Sequence, residues 1–520
     1  MGKRTPFIIG FILVAITVWL QITPIDAIKQ VLLRLEQIAY DVQLRAKTMT
    51  HKSHFDTVVA VVDIDDKSLL REGQWPWPRA KLAALVTQLQ KAGTTVVAFD
   101  SIFSEKEPNI AHTLLQEIST QKLNFDTPAI KPFLEKITPY FNDDAKFAES
   151  LKTLDSVLGI SFLPTASIGN DIPKPLMVLN NPLEQSMNIV RAQGVLNNIP
   201  ELEKAAKSGG FVNVFSDQDG IIRRVPLLLR YQNNLYPSLA LEAVRLYLLG
   251  KIELQTASYG DTQQLEGVKI GGRIIPTDSA SQVLVPFRGG SFTMPYYSAT
   301  DVLHNTIPKN ALENKIVFVG TSATGLGDLK ATAVQNPYPG VEIHATVADG
   351  ILQNTFSYKP AWTSGAETVL TLILGITCAL LFPFLGPRFA SIIMLGLPIL
   401  LFFANAWLWN TTGLIISILL PILLVIFLAI FNIIYGYLFE TRRREQLKQM
   451  FGQYVPEEHI NQMLESKGNY GMLGDDREMT VLFADIRNFT TLSEPLSAAQ
   501  LKEMLNEFFT PMTEIIFKNK

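Results

Sequence analysis

The chain has 520 residues, a formal net charge of −3 and 18% charged residues. This small net charge gives no reason to expect a nucleic-acid partner. A hydrophobic content of 48% favours a membrane protein, and the length allows several domains. The single cysteine, Cys378, excludes an intrachain disulfide and a cysteine-ligated metal site.

The N-terminal segment Phe7–Ile22 is apolar and uncharged, and it follows the basic residues Lys3 and Arg4. Its length fits either a retained transmembrane anchor or a cleaved signal peptide. The letters I-D-A at residues 25–27 make a poor cleavage site, so we expect a retained anchor over residues 1–27. The basic N-terminus should stay in the cytoplasm, which places the following region across the membrane.

Residues 28–362 have the composition of a soluble domain, and their pattern predicts an α/β fold. A buried strand at Val58–Asp63, a helix at Ala80–Lys91 and a strand at Thr94–Phe99 have the spacing of a βαβ unit with parallel strands. The polar stretch Lys106–Asp143 is expected to be irregular. Further strands are predicted at Ser156–Phe162, Phe211–Phe215, Val225–Tyr231, Val283–Phe287 and Ile316–Gly320, and helices at Ile28–Met49, Pro237–Leu249 and Val341–Leu352.

Polar side chains follow three of these strands at their carboxyl ends, where open α/β sheets bind ligands. We therefore expect a ligand pocket at this edge, with two arginines as anion partners. The simpler alternative is that the aspartates cap turns and pair with nearby basic residues. The candidate pocket residues are Asp63, Asp65, Arg79, Asp100, Arg288, Thr321 and Ser322.

The phrases V-V-D-I-D-D-x-S-L, W-P-W-P-R, D-x-D-G-x-x-R-R-V-P, K-I-V-F-V-G-T-S-A and P-G-V-E-I-H-A occur within residues 28–362. Together they resemble the second family of CHASE extracellular sensor domains. The resemblance implies a periplasmic or extracellular sensor of an unknown signal, and it implies no catalytic residue. His344 invites a catalytic interpretation, but we interpret it as a residue on the face of a predicted helix.

Residues 368–439 contain a single charge, Arg388, and are long enough for three membrane spans. The predicted spans are Ala366–Leu385, Phe389–Trp409 and Leu414–Leu438. With the N-terminal anchor they make four, so both chain ends should lie in the cytoplasm of a cell with the sensor outside its inner membrane. Arg388 and the basic cluster Arg442–Arg444 then lie on the cytoplasmic side, as expected for positive residues.

Residues 439–477 are interpreted as a cytoplasmic signalling helix and linker. Leu447, Met450, Phe451 and Tyr454 have helical spacing that suits a short two-stranded coiled coil, which Pro456 ends. The start of residues 478–520 reads as a buried strand, Thr480–Ala484, closed by Asp485 and a turn at Arg487–Asn488. A helix is predicted at Ser497–Phe517.

A carboxylate at the end of a buried strand, followed by free backbone amides, suits a Mg²⁺-bound polyphosphate. An aspartate that ends a strand only to start a turn is the alternative. The letters E-M-T-V-L-F-A-D-I-R-N-F-T, with F-x-x-M-T-E-I-I after them, resemble the opening of class III nucleotidyl cyclase catalytic domains, which are ferredoxin-like α+β folds.

The cyclase resemblance implies a homodimer that uses ATP or GTP with two Mg²⁺ or Mn²⁺ ions. Asp485 would be the first of two metal-binding aspartates, and Ile486 would offer its backbone carbonyl to the second ion. The amides of Arg487, Asn488, Phe489 and Thr490 would face the triphosphate. The family's second aspartate and transition-state residues fall beyond Lys520, so we expect a catalytic domain cut off at residue 520 and no cyclisation by this chain.

The sequence therefore predicts a multidomain membrane protein with an α/β extracytoplasmic sensor, an α-helical membrane part and the start of a cyclase domain. The favoured function is a receptor cyclase that makes a cyclic nucleotide, with cAMP from ATP preferred. The alternative is a sensor and dimerisation module whose output domain is degenerate or absent.

Overall fold

A computed structural model describes residues 4–50, 56–108, 110–119, 127–166, 174–259, 262–326, 328–360, 362–451 and 481–519. The chain divides into two units, Met1–Phe439 and Glu440–Lys520. In the described residues, helices α1 to α17 are Thr5–Ile22, Asp26–Thr50, Asp66–Glu72, Arg79–Lys91, Ile110–Ser119, Thr127–Ile137, Asp143–Leu151, Pro182–Gln185, Pro200–Ala205, Leu239–Tyr247, Ala299–Leu303, Gly340–Gln353, Thr363–Leu381, Pro387–Thr412, Leu419–Phe451, Phe489–Ser493 and Ala498–Lys518.

The strands of the described residues all lie in the first unit. Strands β1 to β18 are Val59–Asp63, Val96–Phe99, Asp155–Leu163, Met177–Val178, Arg191–Ala192, Gly194–Leu196, Ser208–Phe211, Arg224–Pro226, Leu228–Tyr231, Asn234–Pro237, Ile252–Tyr259, Thr262–Ile270, Arg273–Pro276, Gln282–Leu284, Tyr296–Ser298, Ile316–Gly320, Leu329–Lys330 and Tyr338–Pro339.

The centre of the first unit is a sheet with the strand order β15-β1-β16-β2-β3-β6, and β7 also pairs with β3. All neighbours are parallel except β6, which runs antiparallel to β3. Both faces of the sheet are covered, because Val59 and Val61 pack into one apolar cluster and Ala60 and Val62 into another. Strands buried on both faces explain the continuous V-V-A-V-V run.

Helices cover the two faces of this sheet. Helix α4 buries Leu82, Leu85, Val86 and Leu89 on one face, and α10 and α12 cover the other. Helix α12 lies so close to β16 that a Cβ atom on Gly320 would stand 2.6 Å from the Cβ of Val341. A side chain at residue 320 would therefore push α12 off the sheet.

Several predicted elements differ from the structure. The predicted strand Val225–Tyr231 is two strands in different sheets, β8 with β14 and β9 with β10, because Pro226 cannot donate to a continuous ladder. The strand predicted at Phe211–Phe215 lies earlier, as β7. The stretch Lys106–Asp143, expected to be irregular, contains α5 and α6. Their apolar residues recur with helical spacing among the polar ones, and this period outweighs the polar composition.

Among the described residues, four helical segments are long and apolar enough to cross a membrane: Thr5–Ile22, Thr363–Phe384, Pro387–Thr412 and Leu419–Phe439. Small residues let α1 and α13 approach closely, since a Cβ atom on Gly10 would lie 3.0 Å from the Cβ of Ala379. The last segment begins later than predicted, because Gly413 ends α14 with φ 73° and Leu414 then bridges to Tyr358.

In the second unit, α16 and α17 are the described helices besides the end of α15, and α17 confirms the helix predicted at Ser497–Phe517. The linker prediction is tested only as far as Phe451, where α15 ends. Tyr454, Pro456 and the rest of residues 452–480 lie outside the described part of the chain.

Candidate functional site

The strand predicted at Thr480–Ala484 is wrong for the residues that the structure describes. Val481–Ala484 have no regular structure, and the Phe483 side chain is 93% exposed. A strand becomes stable only when neighbouring strands pair with its backbone, and residues 481–519 contain no such strand. Glu478–Thr480, the start of the motif, lie outside the described residues.

Asp485 lies in an exposed position, and its Oδ1 accepts a hydrogen bond of 2.8 Å from the amide of Ile486. The turn at residues 487–488 is confirmed, and α16 begins directly after it. The carbonyl of Ile486 accepts a bond of 3.2 Å from the amide of Phe489. These local bonds already engage the Ile486 carbonyl and the Phe489 amide, two of the predicted ligands.

The described residues contain no group of three histidine, cysteine or acidic side chains that could hold a metal ion. Asp485 offers a hard carboxylate oxygen, which suits Mg²⁺ or Mn²⁺. However, it is a single acidic ligand. Residues 481–519 by themselves therefore do not build the two-ion site that the cyclase resemblance implies.

The predicted sensor pocket lies at the carboxyl edge of the central sheet. Strands β1, β16 and β2 are adjacent and parallel, so their ends bring Asp63, Ser322, Thr321 and Asp100 to one edge. The structure nevertheless distributes these residues over two cavities. Asp63, Asp65 and Ser322 line the first, while Asp100 and Thr321 line the second.

The first cavity has a volume of about 400 Å³. Burial raises the pKa of Asp63 to about 6, although the amide and hydroxyl of Ser322 donate to its carboxylate at 2.8 and 2.5 Å. Asp65 caps α3 by accepting from the amide of Ser68 at 2.8 Å, and it also accepts from the hydroxyl of Ser298. Both carboxylates are therefore satisfied by protein donors, as the capping alternative predicts for Asp65.

The second cavity, of about 420 Å³, differs because its central carboxylate has no such donors. The Asp100 side chain is 9% exposed, and the nearest basic group is Nε2 of His344, 3.8 Å from Oδ1. No hydrogen bond joins this carboxylate to a residue in the described part of the chain. Burial raises the pKa of Asp100 to about 7, and Lys330 opposes the shift.

The remaining charged groups of this cavity come from α12 and from the segment after β16. Burial lowers the pKa of His344 to about 4, so its imidazole is neutral at neutral pH, and it also bonds the backbone of Val212. Lys330 forms an ion pair of 3.2 Å with Asp328, whose own pKa is raised by burial and by Asp100. The aromatic ring of Trp75 lines the same cavity.

The two predicted arginines lie elsewhere, so their assignment as anion partners in this pocket is wrong. Nε of Arg79 is 3.3 Å from Oδ1 of Asp144, and its guanidinium lies over the ring of Phe103. Arg288 pairs with Asp349, whose side chain is buried. Each arginine compensates a buried carboxylate, and spacing along the sequence does not show which way such a side chain points.

Three titratable lining residues of the second cavity were not predicted from the sequence as pocket residues. His344 is on a helix, as predicted, but it faces the cavity. Asp328 and Lys330 belong to the short segment D-L-K after the T-S-A-T turn. Their position directly after a predicted parallel strand is the signal that could have identified them.

The motif D-x-D-G-x-x-R-R has a different role, since it fastens α2 to the sensor. Arg223 is 2% exposed and donates to both carboxylate oxygens of Asp41 on α2, each at 2.8 Å. It also pairs with Asp217 at 2.9 Å and Asp219 at 2.8 Å. Because α2 follows the first apolar helix, this buried cluster joins that helix to the α/β domain.

The fold defines a membrane protein with a three-layer α/β domain between its apolar helices. Comparison with known proteins identifies that domain, because residues 11–381 match the family model of the CHASE2 domain. This match covers most of the chain, so the protein belongs to the CHASE2-domain family. Residues 474–520 match the adenylate and guanylate cyclase catalytic domain.

One curated relative supports the second match. Over 66 residues the chain is 36% identical to adenylate cyclase 1 of Rhizobium meliloti (strain 1021). The aligned region covers 13% of this chain and 10% of the relative, so the chain spans about a tenth of that protein's length. No solved structure matches the chain. The predicted combination of sensor region, apolar helices and start of a cyclase catalytic domain is confirmed.

Proposed function

We propose that this chain belongs to a membrane receptor cyclase, in which the CHASE2 domain senses an extracytoplasmic signal and controls the formation of a cyclic nucleotide. The observation that carries the proposal is the presence of both family matches, residues 11–381 and 474–520, in one chain. The reaction would close a nucleoside triphosphate to a cyclic monophosphate with release of pyrophosphate. We favour ATP because the curated relative is named an adenylate cyclase.

The proposed domains are a membrane anchor at residues 1–27, a sensor at 28–362, three spans within 366–438, a linker at 439–477 and the catalytic start at 478–520. Four apolar helices support a multi-pass arrangement in the bilayer, with the sensor periplasmic and both chain ends cytoplasmic. A phosphatase reporter that works only outside the cytoplasm is expected to be active when fused at Asn410, at the end of the third span. Activity there of a reporter restricted to the cytoplasm would contradict this topology.

We propose that Asp485 binds Mg²⁺ or Mn²⁺ in the complete homodimeric enzyme, with the backbone of Ile486 on the second ion. The amides of Arg487, Asn488, Phe489 and Thr490 would hold the triphosphate. Because residues 481–519 supply a single acidic ligand, we expect the 520-residue chain to form no more cyclic nucleotide from ATP or GTP than its Asp485→Ala variant does. Quantification of cyclic AMP and cyclic GMP by mass spectrometry tests this, and formation that depends on Asp485 would contradict it.

The alternative function is a sensor and dimerisation module without catalytic output. The two functions predict different results for the protein expressed from its natural gene. Cyclic nucleotide formation that is lost in the Asp485→Ala variant supports the enzyme. A chain that pairs and responds to signal without such activity supports the module.

We propose that the second cavity is the ligand site of the sensor. Its support is the carboxylate of Asp100, which lines the cavity, is 9% exposed and lies 3.8 Å from the ring of His344 with no side-chain hydrogen bond to a described residue. The lining carries the carboxylates of Asp100 and Asp328 against the one ammonium of Lys330, since His344 is neutral. A small ligand with an ammonium or several hydrogen-bond donors would therefore complement it.

The Asp100→Asn variant is expected to gain stability relative to the parent chain as pH rises from 4 to 7, and then to keep a constant advantage. The folded-state pKa of about 7 lies above the ordinary value of 3.8, so the folded chain holds a proton that the unfolded chain has lost across this range. The parent therefore loses stability as pH rises. The difference is at most about 4 kcal/mol, because a tenfold change in proton affinity corresponds to about 1.4 kcal/mol.

Thermal unfolding of the purified full chain between pH 4 and pH 8 measures this difference. The comparison with the variant is essential, because His344 acts in the opposite sense: its lowered pKa makes stability rise with pH between about 4 and the ordinary value of 6.5. Asp56→Asn, which removes the carboxylate of an exposed aspartate, serves as the control for the substitution itself. A constant difference between Asp100→Asn and the parent at all pH values would contradict the assignment.

A further inference from the structure

Helix α2 exposes an apolar stripe along one side. Val31, Leu35, Ile38, Val42 and Met49 are each between 40% and 73% exposed. Successive positions of this stripe are separated alternately by four and by three residues. Arg45 occupies the position of this series between Val42 and Met49. A period of 3.5 residues is typical of the contact stripe, or seam, of a coiled coil. Such a seam is narrower than the apolar face of a helix that packs on a globular core.

In the second half of α2, the side away from this stripe is engaged within the first unit. Asp41 binds Arg223 and Leu44 is buried in the sensor core. Tyr40 stacks on Trp409 of α14 with 5.6 Å between ring centroids. The chain's own sensor and membrane helices thus fix the orientation of α2 and leave the stripe facing outward.

We propose that this stripe is the contact between two copies of the chain, with α2 of one copy packed in parallel along α2 of the other. Two copies anchored by α1 in one membrane share the same direction, so their α2 helices can meet only in parallel and in register. From Val31 to Met49 the seam would extend about 27 Å, at a rise of about 1.5 Å per residue. This inference rests on the proposed function in one respect, because the proposed homodimer identifies the partner as a second copy of the chain. The exposed stripe itself does not depend on that proposal.

Arg45 fits this arrangement, although a cation within a seam would repel its counterpart in the second copy. Its Nε donates to the carbonyl oxygen of Ala333 in the sensor at 2.8 Å, and this bond draws the guanidinium toward its own domain. Ala39 is the small residue beside Leu35 and Ile38, and it lets a second helix approach closely. A lipid surface is the competing partner. It fits less well, because a narrow seam of period 3.5 matches another helix rather than a plane.

Disulfide cross-linking of the full chain in native membranes tests the proposal. The native thiol is first removed by Cys378→Ala, and single cysteines are then placed at Leu35, Ile38 and Val42. Under mild oxidation these three positions are expected to give a covalent dimer. Leu33→Cys is the matched control, because Leu33 is also apolar and 44% exposed but lies on a different side of α2.

A dimer yield at least several-fold higher at the seam positions than at Leu33 supports the proposal. Equal yields at all four positions, or no dimer at any, overturn it. The same cysteines are also labelled with a membrane-impermeant maleimide, which reacts only with thiols that water can reach. If the seam cysteines neither cross-link nor react with the maleimide while Leu33→Cys does react, the partner of the stripe is lipid. No step depends on nucleotide turnover, so failure of the seam is distinguishable from failure of the proposed cyclase. Thermal unfolding of each variant confirms that it is folded.

Discussion

Replacing Arg223 by alanine is expected to lower the free energy of unfolding by about 3–5 kcal/mol, since it leaves the buried carboxylate of Asp41 without its cation. The Arg223 side chain is 2% exposed, and three aspartates converge on it at 2.8 to 2.9 Å. Burial opposes its charge, but the bonds to these aspartates outweigh burial and hold the pKa of the guanidinium above its ordinary value. Urea unfolding of the full chain in detergent measures the loss.

The adjacent arginine of the same motif is the matched control. Arg224 is 39% exposed, and its guanidinium is 3.7 Å from Asp278. An ion pair of this exposure contributes less than about 1 kcal/mol, so Arg224→Ala should change stability little. Equal losses of stability in Arg223→Ala and Arg224→Ala would contradict the conclusion that Arg223 is the arginine that holds the cluster together. Arg223→Lys should fall between the parent and Arg223→Ala, because a lysine cannot bind both oxygens of Asp41 with a planar fork.

This cluster has a consequence for signalling. Asp41 is on α2, which follows the first apolar helix, while Asp217, Asp219 and Arg223 belong to the sensor. A change in the sensor that moves Arg223 therefore moves α2 as well. With the proposed seam between two copies, the cluster would couple the sensor to the spacing of the paired helices that enter the membrane.

The sequence predicts the central fold well where periodicity and local chemistry decide the structure. Ile316–Gly320 is a strand with the bounds that its β-branched run predicts. The helix predicted at Ala80–Lys91 begins at Arg79, directly after Pro78, and is followed by Gly93 with φ 79°. These signals are local, so neighbouring residues are enough to read them.

The candidate site was predicted only in part, because its chemistry depends on contacts between distant segments. The strand ends that carry Asp63 and Asp100 were located correctly, but Ser322 donates to the carboxylate of Asp63, while the carboxylate of Asp100 lies 3.8 Å from His344 in a separate cavity. Arg79 was misassigned because its partner, Asp144, comes from a helix far along the chain. A strand at Thr480–Ala484 was expected from composition alone, yet a strand also requires partners to pair with.

Replacing Glu342 by alanine is expected to cost about 2–4 kcal/mol of stability, because several donors, among them the buried amide of Met294, lose one buried acceptor at once. Glu342 is fully buried on α12 and accepts from the amides of residues 292, 293 and 294 at 2.8, 2.8 and 3.3 Å. It also accepts from the hydroxyl of Tyr296 at 3.1 Å. Phe292 adopts a φ of 64°, a conformation that a bulky residue rarely keeps without such support.

The same substitution should alter the first cavity, since Phe292 and Tyr296 line it. The exposed Glu253, paired with Lys269 at 3.1 Å, provides the control, and Glu253→Ala should stay within about 0.5 kcal/mol of the parent. Hydrogen exchange of residues 291–296 separates the two effects: Glu342→Ala should accelerate exchange there while Glu253→Ala leaves it unchanged. Unchanged exchange in Glu342→Ala would show that the loop is held by other contacts and that the carboxylate of the P-G-V-E-I-H-A motif does not hold it.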